Sequence, residues 1–283
     1  MVSQIDTPDE PLLSQKTVRE DLIKFSAQIA AVLAVPIIDL VKIYETLART
    51  PRLPIVWLEF YYCSGESESI FSALKKPDQH RQASIEEGDL DSSGTKMLRN
   101  FLSIEYHASL TNPATLEDAD QLDDIIDRYS GQYLCIIEGA IPKDIIDARG
   151  AISGSNLVSK LQNVTAHAKA IMAVGSCATS GNVTLAGANM FRTSGVREAV
   201  PEIQHLLNLP GCPVDRIDVV ASIVYLITYG NLPAIDSEQR PQFAYGSENR
   251  TYIEQMNLYK SKNITSSTRT SLNQDCWCGY QPG

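Results

Sequence analysis

A chain of 283 residues, 43% of them apolar, is long enough for one large domain or for a domain with a smaller annex, and it can fill a proper core. The formal charge of −10, with no stripe of clustered Lys and Arg, speaks against a nucleic-acid partner. Six cysteines in a chain this long do not make a small disulfide-stapled module, and Cys276 and Cys278 stand too close for an ordinary bridge, so metal binding or buried thiols suit them better.

Residues 1 to 16 are polar and read as a loose tail. From Thr17 to Thr50 the pattern is helical with an interruption at Pro36, and an apolar run extends from Ile29 to Ile38. Such a run is half of the roughly 20 residues that a membrane-spanning helix needs. It fits either a signal-peptide core or an amphipathic helix packed on the domain. Val56, Leu58 and Phe60 then mark a buried strand, followed abruptly by Cys63, Ser64, Gly65 and Glu66 in a turn at its carboxyl end. Open α/β sheets bind their ligands at such ends.

Residues 75 to 95 read as a solvated excursion. FLSIEYHASL (101 to 110) alternates like a second strand, and the acidic helix at 115 to 131 turns Leu122, Ile125 and Ile126 inward and closes at Gly131. YLCIIEGAIP (133 to 142) is a third strand with Cys135 as a core thiol. A helix at 157 to 170 precedes a fourth strand, AIMAVGSC, that delivers Cys177. A short helix then leads to Cys212 in LPGCP. The stretch from 217 to 233 is a strongly apolar helix with Val220, Ile223, Val224 and Ile227 on one face. From Ala234 onward the chain turns polar, which places a domain boundary there. Strand and helix alternate as in a parallel sheet wound with crossovers, so residues 51 to 233 are expected to form a three-layer α/β domain.

Cys63, Cys177 and Cys212 each follow an apolar element, and three thiols on three loops suggest one shared site. Soft thiolates hold iron-sulfur clusters, and the position that would complete a CxxC after Cys63 is occupied by Glu66, a harder donor. Spacing alone leaves two readings, one cluster or three unrelated cysteines. A flavin or nucleotide module is the weakest reading, because no GxGxxG follows the first strand.

WLEFYYCSGESES, EGAIP, AKAIMAVGSCA, LPGCP and ITYGNLPAIDSEQRPQFAYG occur in the order and spacing of the small, electron-transferring subunit of nickel-iron hydrogenases. The chain resembles that family, in its membrane-bound uptake type, over residues 18 to 246. The resemblance implies a flavodoxin-like parallel-sheet domain at 51 to 233 and an irregular, degenerate iron-sulfur-type domain at 234 to 283. It implies a proximal four-iron cluster held by Cys63, Cys177 and Cys212, with Glu66 at the remaining cysteine position. It further implies a large partner subunit carrying the nickel-iron centre and a downstream electron carrier. Glu68 matches a family glutamate implicated in proton movement near the subunit interface. The alternative within the family is a scaffold or sensor subunit with impaired electron transfer. Two departures stand out. YGSENRTYIEQMNLYKSKN lacks the His and Cys of the family's additional clusters, leaving only Cys276 and Cys278. In VREDLIKF, Glu20 replaces the second arginine of a twin-arginine export signal, so residues 1 to 50 are expected to be an N-terminal tail and helix that is either a plain packed helix or a degenerate signal, with a cell-envelope location if the signal works and a cytoplasmic one otherwise.

Overall fold

The computed structural model describes residues 16–61, 65–72, 100–107, 118–142, 157–181 and 193–246. Apolar, β-branched runs form five strands: β1 Leu53–Glu59, β2 Leu102–His107, β3 Leu134–Glu138, β5 Ala170–Val174 and β7 Leu206–Leu209. They lie in one sheet in the order β2-β1-β3-β5-β7, and all four neighbouring pairs are parallel. The first strand in the chain thus sits inside the second, the flavodoxin-like order, whose ligand crevice lies at the carboxyl ends of the strands. A separate antiparallel pair joins β4 Ile141–Pro142 to β6 Thr193–Ser194.

Alternation along the strands divides the core in two. Ile55, Trp57, Leu134, Ile136, Met172, Val174, Leu207 and Leu209 pack on one face with helices α1 Lys16–Val32, α2 Ile37–Arg49 and α8 Arg216–Tyr229. Val56, Leu58, Cys135, Ile137, Ile171 and Ala173 pack on the other with α4 Asp118–Arg128 and α5 Leu157–Ala166. Helices on both faces satisfy a sheet that is apolar on both sides. Leu122, Ile125 and Ile126 point inward as the acidic pattern of α4 requires, and Cys135 is fully buried.

The sequence reading expected only a short helix before Cys212, but Leu206–Leu209 there forms the edge strand β7. Three further elements differ in detail from that reading. α8 buries Val219 to Val224, Leu226 and Thr228, so it is enclosed nearly all round rather than on one stripe, because α1 and α2 pack against it in the same core as the strands. YLCIIEGAIP breaks at Gly139, where φ is +83°, so β4 leaves the main sheet. A Cβ at Gly139 would lie 2.7 Å from the carbonyl carbon of Phe60, so a bare backbone is what lets the ends of β1 and β3 close together there. The apolar run at 29 to 38 is also divided. Ile29, Ala30 and Leu33 enter the core, whereas Ile37 and Ile38, at the start of α2, are 86% and 72% exposed. Among the described residues no helix is long and apolar enough to cross a membrane.

The segment after α8 folds back on the sheet. Asn208 N–H donates to Gln239 O at 2.8 Å, and Phe243 and Tyr245 of α9 Gln242–Tyr245 pack against the α8 side of the core. Residues 247 to 283, with Cys276 and Cys278, lie outside the described residues.

Candidate functional site

The carboxyl ends of β1, β5 and β7 deliver the chain to neighbouring turns. After β1 the chain passes through residues 62 to 64, outside the described residues and including Cys63, and enters α3 Gly65–Ser72. After β5 it turns directly into α6 Gly175–Ser180, whose third residue is Cys177. β7 runs into Pro210, Gly211 and Cys212, and Cys212-Pro213 is a cis peptide bond. The last two turns are hydrogen-bonded to each other. Ser176 N–H donates to Gly211 O at 2.7 Å, and Gly211 N–H donates to Ser176 Oγ at 3.2 Å. Cys177 and Cys212 therefore sit on joined loops, both half-buried and neither in a disulfide.

Glu66 comes to the same place from α3. Its carboxylate accepts from Val214 N–H at 2.7 Å, two residues past Cys212. On the other side it presses on the turn before Cys177: a Cβ at Gly175 would lie 2.7 Å from Glu66 Cδ. One buried side chain thus touches both cysteine loops. Burial raises its pKa to about 7, only partly offset by the bond from Val214. Soft thiolates at 177 and 212 with a carboxylate between their loops are a donor set that suits iron bound with sulfur. No three His, Cys, Asp or Glu side chains converge as a metal group among the described residues, which do not include Cys63.

Glu68 is exposed on α3, within reach of anything that docks there. Its neighbour Ser67 faces inward and donates from N–H to Glu138 Oε2 at 2.7 Å and from its hydroxyl to Glu138 Oε1. Glu138, fully buried at the end of β3, has a pKa raised to about 8, chiefly by burial. Sequence reasoning passed over Glu138, and also Glu59 and His107, which close β1 and β2. A signal was present: three apolar strands each end on an ionisable residue.

The QRP segment buttresses the Cys212 loop from behind. Tyr245 hydroxyl donates to Pro210 O at 2.9 Å, and the Arg240 guanidinium lies over the Tyr245 ring, 5.6 Å from its centroid. Arg240 is itself held by Asp236 at 2.8 Å. Asp218, in the first turn of α8, lies against Tyr245, and burial raises its pKa to about 7, with Asp215 adding to the effect.

Comparison with known proteins agrees with this architecture. The family model described as NADH ubiquinone oxidoreductase, 20 Kd subunit, matches residues 83–226. Hydrogenase-2 small chain of Escherichia coli K12 is 26% identical over 265 residues, spanning 94% of this chain and 67% of that protein. The quinone-reactive Ni/Fe-hydrogenase small chain of Wolinella succinogenes is 24% identical over 276 residues, spanning 96% of this chain and 73% of that one. A chain of the reduced, active Ni-Fe-Se hydrogenase from Desulfomicrobium baculatum superposes with a TM-score of 0.55 at 20% identity, covering 69% of this chain and 71% of that chain, which shows the shared fold.

Proposed function

This chain belongs to the family described as NADH ubiquinone oxidoreductase, 20 Kd subunit, and on that premise we propose that it is the electron-transferring small subunit of a nickel-iron hydrogenase. The observation that carries the reading is the position of Glu66, buried against both the Gly175 turn and Val214. A carboxylate that replaces a thiolate in a ligand set has to arrive where the other thiolates are. In this reading Cys63, Cys177, Cys212 and Glu66 hold one proximal four-iron cluster. When bound, that group supplies a one-electron store between the partner's nickel-iron centre and a downstream carrier.

The protein's own residues fix the conditions around it. The Ser176 to Gly211 bonds set the spacing of the two cysteine loops, and Tyr245, through Pro210, holds the second loop from behind. As a hard carboxylate oxygen rather than a thiolate, Glu66 would be the weakest of the four ligands in this reading. In this reading Glu68, exposed on α3, exchanges protons with the docked large subunit. For location, we propose the cell envelope, as for an uptake enzyme.

The test is anaerobic copurification with a nickel-containing partner, followed by iron, sulfide and paramagnetic resonance analysis. We expect iron to drop by about one atom per cluster in Glu66→Ala, and the reduction potential to shift in Glu66→Cys with iron retained. Iron content, resonance signal and potential identical in wild type and both variants would show that Glu66 is only a loop carboxylate.

A further inference from the structure

The sheet face that carries Ile55, Trp57, Leu134, Ile136, Met172 and Val174 is apolar and lies under α1, α2 and α8. Five strands spaced about 4.8 Å apart make a surface about 19 Å across, whereas one helix with its side chains is about 10 Å wide. α8 alone would leave about half of that face in water, and parallel sheets are buried on both faces. The rest of the cover comes from α1 and α2. Leu22, Phe25, Ile29 and Leu33 of α1 and Ile43 and Leu47 of α2 join the same cluster as the strands, each 6% exposed or less.

The hairpin of α1 and α2 is fixed at three further places. Phe25 stacks on Phe101, just before the edge strand β2, with ring centroids 6.3 Å apart. Lys42 Nζ of α2 lies 4.2 Å from the centroid of the Tyr229 ring, at the end of α8. At its own end, α2 passes into β1 through Thr50, Pro51 and Arg52 alone. Both sides of that link are bonded: Thr50 N–H donates to Thr46 O at 2.8 Å, and Leu53 N–H donates to Phe101 O at 2.7 Å. Proteolysis concentrates at exposed loop tips, and a short link pinned at both ends offers little free backbone to a peptidase.

We infer that the α1–α2 hairpin is a built-in clasp that stays attached in the working protein and, while docked, keeps its own apolar run from acting as an export signal. A signal core has to present such a run as one apolar stretch. Here Ile29, Ala30 and Leu33 are turned into the core while Ile37 and Ile38 are exposed, so the run is divided between two helices. Docking and presentation use the same side chains and exclude each other. Export through this run therefore has to precede closure of the domain, and removing the run afterwards would bare the sheet. The inference rests on packing alone and stands whether or not the chain holds a cluster.

The full chain, purified anaerobically with its cofactor complement, supplies the test. Intact mass and N-terminal peptide analysis should find residues 16–49 on every chain, and a population beginning between residues 50 and 53 would overturn the clasp. In the same sample, the amides of residues 25–33 and 43–47 should exchange with deuterium within about tenfold of those in β1, because elements of one cooperative core open together. Faster exchange would overturn the docking. Ile29→Asp puts a carboxylate at a fully buried site, so it should speed exchange in both helices by about tenfold or more and bind a hydrophobic dye at the bared face. Ile38→Asp, at an exposed position, should do neither. An Ile29→Asp protein indistinguishable from Ile38→Asp would show that the hairpin is detached from the sheet. Should Ile29→Asp not fold, the mass and exchange of the wild type decide the matter by themselves.

Discussion

Gly175 and Asp218 set the two residue-scale conditions on the candidate site. Gly175 has φ of +85°, and a Cβ there would meet Glu66 Cγ and Cδ at 2.9 and 2.7 Å. Gly175→Ala should therefore cost about 1–3 kcal/mol in urea unfolding from backbone strain and displace Glu66 from Val214. An unchanged midpoint would mean that Glu66 swings aside at no cost. Asp218 governs pH dependence on the far side of the Cys212 loop. An unfolded aspartate ionises near 3.8, whereas the folded carboxyl, buried beside Tyr245 and Asp215, keeps its proton to about 7. The folded state thus binds more protons across that window, so this group makes stability fall as pH rises from about 4 to about 7, by up to roughly 1.4 kcal/mol per pH unit. Asp218→Asn should flatten the slope relative to wild type, measured by urea unfolding across the window. Equal slopes would show that Asp218 is ionised in the fold. Neither effect was legible in the sequence. The sequence alone does not single out Asp218, Glu59, Glu138 or His107, because the segments that take them out of water are remote in the chain.

At the scale of elements, periodicity identified the strands and helices that face a core on one side, and it was weakest where an apolar run had two possible partners. The segment at 29 to 38 is the clearest case, since a signal core and a short packed helix have the same composition. What distinguishes them is a partner remote in sequence: Phe25 of α1 stacks on Phe101, with ring centroids 6.3 Å apart, and Leu22, Ile29 and Leu33 are buried with it. Burying a large apolar side chain is worth roughly 1.5–3 kcal/mol, so α1 contributes to the stability of the whole domain. Phe25→Ala should cost about 3–5 kcal/mol in urea unfolding, while Ile38→Ser, at an exposed position, should stay within about 0.5 kcal/mol of wild type. The reverse order of effects would mean that α1 is detached from the core in solution.

For the whole molecule, the alternation of strand and helix made a wound parallel sheet legible, and the sheet order then accounts for why thiols far apart in sequence share one edge. Cys177 and Cys212 follow the adjacent strands β5 and β7, so their loops meet as a matter of topology. Cys63 follows β1, separated from β5 only by β3, but its loop lies outside the described residues. The stretch YGSENRTYIEQMNLYKSKN has no His or Cys, which leaves Cys276 and Cys278 as the thiols of the tail. A four-iron cluster ordinarily takes four protein donors, and two cysteines separated by one residue do not make that set. The anaerobically purified complex should therefore hold one cluster, about four irons, on this subunit. A double Cys276→Ser, Cys278→Ser variant should keep that iron and its resonance signal, whereas Cys177→Ser or Cys212→Ser should lose them. Iron equivalent to three clusters, or iron lost on replacing the two tail cysteines, would show that the tail binds metal through donors that the family pattern does not supply.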